Sequence, residues 1–552
     1  MKHYHVFRSA IVAMVAIVAT TFTVAAKSTT VTGRVLCEGK GVAGVVVSDG
    51  YNVVATDASG AFALPTDVEV SQFVNITVPS GYEVERKGNA PQFYGRIDSK
   101  ATGVQNFDFN LTKVDQSEYT IITFADTHVT GPKNTRACHL DQELYLTQYI
   151  PAVNEYAAKQ SGRVYVMTLG DMTQAGYRPQ ERNNFEGYSL ANFMEDTKVD
   201  LPVFNAVGNH DHNNSPKGTV LTESTTDFSR IDYYKDLGPA WYSVNIGREH
   251  YVFVDNTFVL TQESNPTYDE AATKGYQVRL SDAQQAWLEK DIAMVDKSQI
   301  DRIVVMAHCP VLNGRGGLQM MRAPKFFAAL KGYEVVILVG HSHCDRTVVT
   351  TINGNKVYEF INPSGAGTAW YTPLNTDGTP GAAVAYKFKA GEKAFAREFV
   401  TYGEIKEKNI RYRVYDNVAN KWSYPIMEST GHGWSRQHDL QNANYKDKPA
   451  IMVTIWGAHT ITFTESTGGT GKVVKSVYDL AYRDWYWNYY ERSLNGEFPY
   501  GQTLRKAAWQ TPGKTGDKGQ LYVPADPKAV VTVEAKDAFG KVIAKFTAQA
   551  AE

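Results

Sequence analysis

Short apolar runs that end on polar, metal-seeking side chains set the rhythm of this chain. Thr120–Phe124, Val164–Leu169, Val203–Val207, Tyr251–Val254, Ile303–Met306 and Val335–Val339 are rich in β-branched residues and predict buried strands. Amphipathic stretches lie between them, among them Gln142 to Ala158 and Ser281 to Glu289. Ser281 is placed to cap the second, where Ala283, Ala286, Trp287 and Ile292 recur at helical spacing. Strands alternating with helices predict a layered α/β domain, here assigned to residues 115–398. Ligands in such sheets gather beyond the strand ends.

On either side the period shortens to two. Val31–Val35, Gly41–Gly50, Val53–Asp57 and Gly60–Leu64 are strand candidates broken by glycine and aspartate, predicting a small β-sandwich over residues 27–114. Beyond residue 398, Ala450–Trp456, Thr460–Thr464, Val530–Ala535 and Gly540–Phe546 predict a β-rich domain over 399–552. Within it, Tyr478–Tyr500 is unusually aromatic. Such a tract suits sugar rings or lipid headgroups, but internal packing is the commoner use.

Residues 1–26 have the form of an export signal: basic Lys2 and Arg8, an apolar run from Ala10 to Val24, and small residues Ala25-Ala26 before a cut ahead of Lys27. That run is shorter than the ~20 residues that span a bilayer, so the mature chain is expected to have no transmembrane segment and to work in the periplasm, at the cell surface or secreted. The 552 residues carry 56 basic and 58 acidic side chains, a net charge of -2 that gives no reason to expect a nucleic-acid polymer as partner. Four cysteines are too few for a disulfide scaffold. Cys309 and Cys344 follow candidate ligands closely, as a disulfide or as two buried thiols, the second being favoured.

The chemistry lies at the strand ends. Ala125-Asp126-Thr127-His128, Gly170-Asp171-Met172, Gly208-Asn209-His210-Asp211, Ala307-His308-Cys309 and Gly340-His341-Ser342-His343 offer carboxylate, amide and imidazole donors in the number that two neighbouring divalent ions require. Singly, each has an ordinary explanation: a helix cap, a turn asparagine, a core histidine. In order, Asp-x-His, Gly-Asp, Gly-Asn-His-Asp, His and Gly-His-x-His resemble the calcineurin-like metallophosphoesterase superfamily, over about half the chain. The flanking domains resemble, more loosely, those of an exported bacterial subgroup.

The resemblance implies an αββα core and two divalent ions, with manganese, iron or zinc all acceptable to such ligands. Asp126, His128 and His343 would hold the first ion, Asn209, His308 and His341 the second, with Asp171 bridging. His210 would donate a proton or contact the phosphate and Asp211 orient it, while glycines 170, 208 and 340 allow tight turns behind the ligands. The implied reaction is hydrolysis of phosphate mono- or diesters through in-line attack by a hydroxide between the ions. A small-molecule, glycan or lipid phosphate ester is the implied substrate. Ala175 stands where phosphoprotein phosphatases place an arginine, and Gln174 where purple acid phosphatases place a tyrosine, which moves the chain away from both. Asn362–Gly367 is expected to close the core near the metal face, and Gly431-His432-Gly433-Trp434 to overhang it. A catalytically weak glycan- or lipid-binding protein and an amide hydrolase are the competing readings. Retention of every ligand opposes the first, and the Gly-Asn-His-Asp segment the second.

Overall fold

A computed structural model describes residues 28–101, 103–130, 140–174, 188–212, 229–259, 276–367, 370, 375, 379–403, 410–415, 449–474 and 519–550. The expected signal, Cys138, His139, Ala175, the loop at His432 and the aromatic tract Tyr478–Tyr500 lie outside these residues.

Two sheets form the centre. In the first, strands Val203–Phe204, Arg163–Thr168 and Glu118–Phe124 run parallel, and Ala382–Lys389 and Ala396–Thr401 extend the sheet antiparallel. In the second, Glu249–Phe253, Arg302–Met306, Glu334–Val339 and Asn355–Ile361 are parallel, with Tyr242–Ile246 and Arg346–Ile352 antiparallel at the edges. The strands alternate which apolar side chains they give to each face. Ile121, Tyr165, Met167, Tyr251, Val304, Val336 and Tyr386 meet between the sheets, whereas Ile122, Val166, Val252, Val305 and Ile337 pack outward. Helices carrying Tyr145, Ile150, Phe193, Trp287 and Phe326 join the outward set. This is the layered α/β architecture that the alternating pattern predicts.

Three elements differ in detail from expectation. Only Val203–Phe204 of the run to Val207 pairs as a strand. Helix Asp282–Ala293 is capped by Ser281, which accepts from the Gln284 N–H, yet Ala286 faces solvent. The buried side is Gln284, Trp287, Leu288, Asp291 and Ile292, because the Gln284 carboxamide exchanges two 3.0 Å bonds with the Asp255 backbone and so enters the core fully satisfied. The other helical stretch, Asp141 to Ala157, widens into a π turn at Tyr145–Tyr149, just before Pro151, which has no N–H to continue the ladder. The wide turn stacks Tyr145 on Tyr149 at 5.6 Å.

The N-terminal strands form a β-rich unit with sheets of six and four strands. It is docked on the second central sheet: Asn245 N–H donates to Val78 O (2.9 Å), Thr77 and Ser243 share a hydroxyl bond (2.8 Å), and Trp241 donates to Gly50 O (2.9 Å). C-terminal strands form sheets of four and three strands. Phe539 reaches from the C-terminal strands to rings of Tyr358 and Phe395 at 5.0 and 4.8 Å. Among the described residues, no helix is long and apolar enough to cross a membrane.

Trp287 joins the two units, with its indole buried in the core and its N–H donated to Ser48 Oγ at 3.1 Å. Trp287→Ala is expected to cost about 3–5 kcal/mol in urea unfolding; an unchanged midpoint would deny the indole that joining role.

Candidate metal centre

Five loops at one end of the two sheets bring the candidate ligands together. Asp126 and His128 follow the strand ending at Phe124, Asp171 follows Arg163–Thr168, and Asn209 follows Val203–Phe204. His308 follows Arg302–Met306 on the second sheet, and His341 and His343 follow Glu334–Val339.

The backbone is held in an unusual state there. Asp126, His128, Asp171, His341 and His343 have φ of 50°, 43°, 53°, 64° and 47°. Left-handed backbone is disfavoured for residues with a Cβ and persists only where surrounding contacts enforce it. These contacts are visible: Asp126 N–H donates to Gly170 O (3.2 Å), His128 N–H to Asp171 O (3.0 Å) and His341 N–H to Asp126 Oδ2 (2.8 Å). Behind them, Asn362–Gly367 acts as a buckle. Ser364 Oγ donates to Asp126 O (2.7 Å), Gly365 N–H donates to Ala125 O (2.7 Å), and Trp370 adds an indole bond to Thr127 O (2.7 Å).

The glycines serve more for closeness than for turning. Gly170 alone of the three has a left-handed φ, +86°. A Cβ on Gly208 would stand 2.2 Å from Asp171 N, and one on Gly340 would stand 2.4 Å from Asp126 Oδ2. Both positions therefore admit only hydrogen beside a ligand carboxylate.

The side chains form two adjoining sets of donors. In one, His343 Nε2 lies 3.2 Å from Asp126 Oδ1 and 3.2 Å from His128 Nε2. In the other, His308 Nε2 lies 3.1 Å from each of Asn209 Oδ1, His341 Nδ1 and Asp171 Oδ2. Asp171 Oδ2 is also 3.7 Å from His128 Nε2, so this one oxygen faces both sets while Oδ1 accepts the His210 N–H at 2.7 Å. His308 donates Nδ1–H to Leu169 O (2.7 Å), which turns Nε2 toward the cluster. Asp126 Oδ1 is buried without a hydrogen-bond partner, and two imidazole pairs meet nitrogen to nitrogen. The chemistry of this donor set fits divalent cations.

Electrostatics divide the two histidines: His128 is held neutral, whereas His308 carries a proton in the metal-free fold that a cation would have to displace. Burial, partly opposed by the carboxylates, lowers His128 to about 3 and keeps it neutral, as a ligand must be. For His308, burial acts downward but Asp171 outweighs it and raises the pKa to about 9. For Asp171, burial acts upward but His308 and His210 hold it well below the usual carboxylate range.

His210 is half-buried, its ring 4.9 Å from that of His128 and nearly perpendicular to it. Asp211 spends its carboxylate on the backbone: Asp171 N–H and Gly208 N–H donate to Oδ2 at 2.8 Å, and Met172 N–H to Oδ1 at 3.0 Å. Those bonds shape the loop that carries Asp171. Burial and the Asp171 charge raise Asp211 to about 8 against their pull.

Two residues that support these loops gave no signal in the sequence. Tyr276 OH lies 3.2 Å from His341 Nε2, on the side of that ring away from His308. Asp345, two residues after His343, is fully buried; it accepts from Arg397 (2.6 Å) and from Gly457 N–H of the C-terminal strands (2.9 Å). Cys309, expected only to lie near the ligands, places Sγ within 4.8 Å of ring nitrogens of His308 and His341. Cys309 and Cys344 are both buried thiols. His212, beside the third segment, is engaged by Ser229 and Thr257 at 2.9 and 2.7 Å within a buried group containing Asp255 and Arg230.

Residues 119–345 match the calcineurin-like phosphoesterase family, and residues 29–114 match the N-terminal domain of calcineurin-like phosphoesterase. Among solved structures, a 5'-nucleotidase precursor from Thermus thermophilus is 15% identical (TM-score 0.28), covering 51% of this chain and 54% of that one. The Thermus thermophilus sulfate thiohydrolase SoxB is 14% identical (TM-score 0.28), covering 51% and 56%. The calcineurin-like phosphoesterase YfkN from Bacillus subtilis is 14% identical (TM-score 0.24), covering 52% and 92%. The chain thus spans about half the length of the first two. No curated protein matches it.

Two outcomes follow from the geometry. Gly340→Ala should displace Asp126 and weaken metal binding by about 10–100-fold at unchanged circular dichroism; equal affinity by calorimetric titration would count against the close approach. In the metal-free fold His308 is raised above its unfolded value, so its contribution to stability is present below about pH 6.5 and lost as pH rises through about 9. Because a ligand imidazole must be deprotonated, metal affinity should climb over that same interval, and a flat titration between about pH 6 and 9 would contradict the His308 assignment.

Proposed function

Since this chain carries the calcineurin-like phosphoesterase domain together with the N-terminal domain of that family, we propose that it is an exported binuclear-metal enzyme that hydrolyses phosphate mono- or diesters. The observation that supports this most is the position of Asp171 Oδ2, shared between the His128 and His308 sides of one cluster. Asp126, His128, His343 and Asp171 would hold one cation; Asp171, Asn209, His308 and His341 would hold the other. Bound there, two cations supply the positive charge that attracts phosphoryl oxygens and the acidity that makes water nucleophilic toward phosphorus. Manganese, iron and zinc all suit this donor set.

The chain's own residues then have distinct tasks. The left-handed loops hold the ligands before substrate arrives, so little reorganisation accompanies the reaction. His210 is half-buried beside His128, from where its imidazole donates a proton to the departing alkoxide. Asp211 positions it indirectly, by fixing the backbone between Asp171 and Gly208. The basic start and apolar run before Lys27 support export, and N-terminal sequencing of the processed protein is expected to begin at Lys27.

With manganese, zinc or iron supplied, p-nitrophenyl phosphate or its bis ester should be hydrolysed. Asp171→Ala should abolish turnover, and His210→Ala should lower kcat by about 10²–10⁴-fold. Undiminished hydrolysis by purified Asp171→Ala protein would overturn the assignment.

A further inference from the structure

The two donor sets differ in kind. Among the described residues, the groups that join Asp126, His128 and His343 are carboxylate and imidazole, from Asp171 and His210. Around His308 and His341 there is a sulfur as well: Cys309 Sγ, His308 and His341 present ligand atoms that all lie within 4.8 Å of one another. We propose that the thiolate of Cys309 is a ligand, or an immediate neighbour that becomes one on loading, of the cation held by His308 and His341, making this position selective for a borderline-soft ion such as zinc. The proposal rests on the metal-centre reading above and adds a donor to it.

Backbone geometry favours it. Asn256, itself fully buried, clamps Cys309 on both sides: its carboxamide Oδ1 accepts the Cys309 N–H at 3.0 Å and its Nδ2 donates to Cys309 O at 2.7 Å. Pro310 follows and restricts Cys309 to extended backbone. The side chain is thereby fixed in a fully buried spot beside the two imidazoles. His308 Nε2 and His341 Nδ1 stand 3.1 Å apart, a separation at which one ion can reach both at about 2.0–2.1 Å. A thiolate needs about 2.3 Å, which at tetrahedral angles places its sulfur roughly 3.6 Å from each nitrogen; a sulfur now within 4.8 Å reaches that position by a movement of up to roughly 1 Å on loading. As the sulfur–metal bond forms, the S–H proton passes to solvent. Thiolate ligands favour zinc, whereas carboxylate and water favour manganese, so the two positions are expected to sort different ions.

Cobalt(II) reports thiolate ligation directly, through an intense near-ultraviolet sulfur-to-metal charge-transfer band that nitrogen and oxygen ligands do not give. The full-length metal-free protein is titrated with cobalt, following this band and the weaker visible ligand-field bands. Both should appear in the wild type. Cys309→Ser should lose the charge-transfer band, keep the ligand-field bands, and bind zinc about tenfold or more weakly while manganese affinity changes little. Cys344→Ser should retain the charge-transfer band, which excludes the other buried thiol near the cluster. Ligand-field bands without charge transfer in the wild type, or a band that survives in Cys309→Ser, overturns the role of Cys309 and leaves the binuclear centre standing. Failure to bind cobalt at all overturns the centre itself. Cys309→Ala tests the same point should the serine variant fail to fold.

Discussion

Burying two carboxylates side by side is the constraint around which the rest is arranged. Asp126 and Asp171 are both withdrawn from water, and each charge would be costly there without compensation. Part of that compensation is built in: N–H groups of His341 and His210 point at them, and His343 and His308 stand at 3.2 and 3.1 Å. The remainder is left open, since Asp126 Oδ1 receives no hydrogen bond. The left-handed backbone at five of the seven candidate ligands, the glycines that admit only hydrogen, and the buckle at Ser364 all serve to keep negative charge concentrated in one place.

Much of this was legible in the sequence because strand ends and ligand types coincide. Apolar runs before Asp126, Asp171, His308 and His341 located the strands, and donor chemistry distinguished those ends from ordinary loops. What could not be read was long-range. Asp211 follows His210 directly, which invites a pairing of their side chains, but its carboxylate turns back to N–H groups of residues 171 and 172. Ala286 fits an apolar stripe, yet Gln284 takes the inner position because Asp255, far away in sequence, offers its backbone. Tyr276 and Asp345 carry no local pattern at all. Asn362–Gly367 was placed correctly near the site; its function as a clasp behind Asp126 depends on partners more than 200 residues earlier.

The flanking units are tied in through polar contacts set within apolar ones. Trp287 and Trp241 insert their rings in the core and give their N–H groups to the N-terminal unit. Toward the C-terminal strands, Asp345 stands two residues beyond His343 and holds both Arg397 and a C-terminal backbone N–H. The loop carrying His341 and His343 is consequently braced from outside the central domain.

Gly340 follows a strand of one sheet and Asp126 a strand of the other, and no more than a hydrogen atom fits between them. The separation of the layers at this rim is therefore the same quantity as the span between the donors. A wedge that parted the sheets by the width of a methyl group would pull His341 away from Asp126. Changes made deep in the hydrophobic interior, remote from any polar atom, would thus be registered as altered chemistry at the edge.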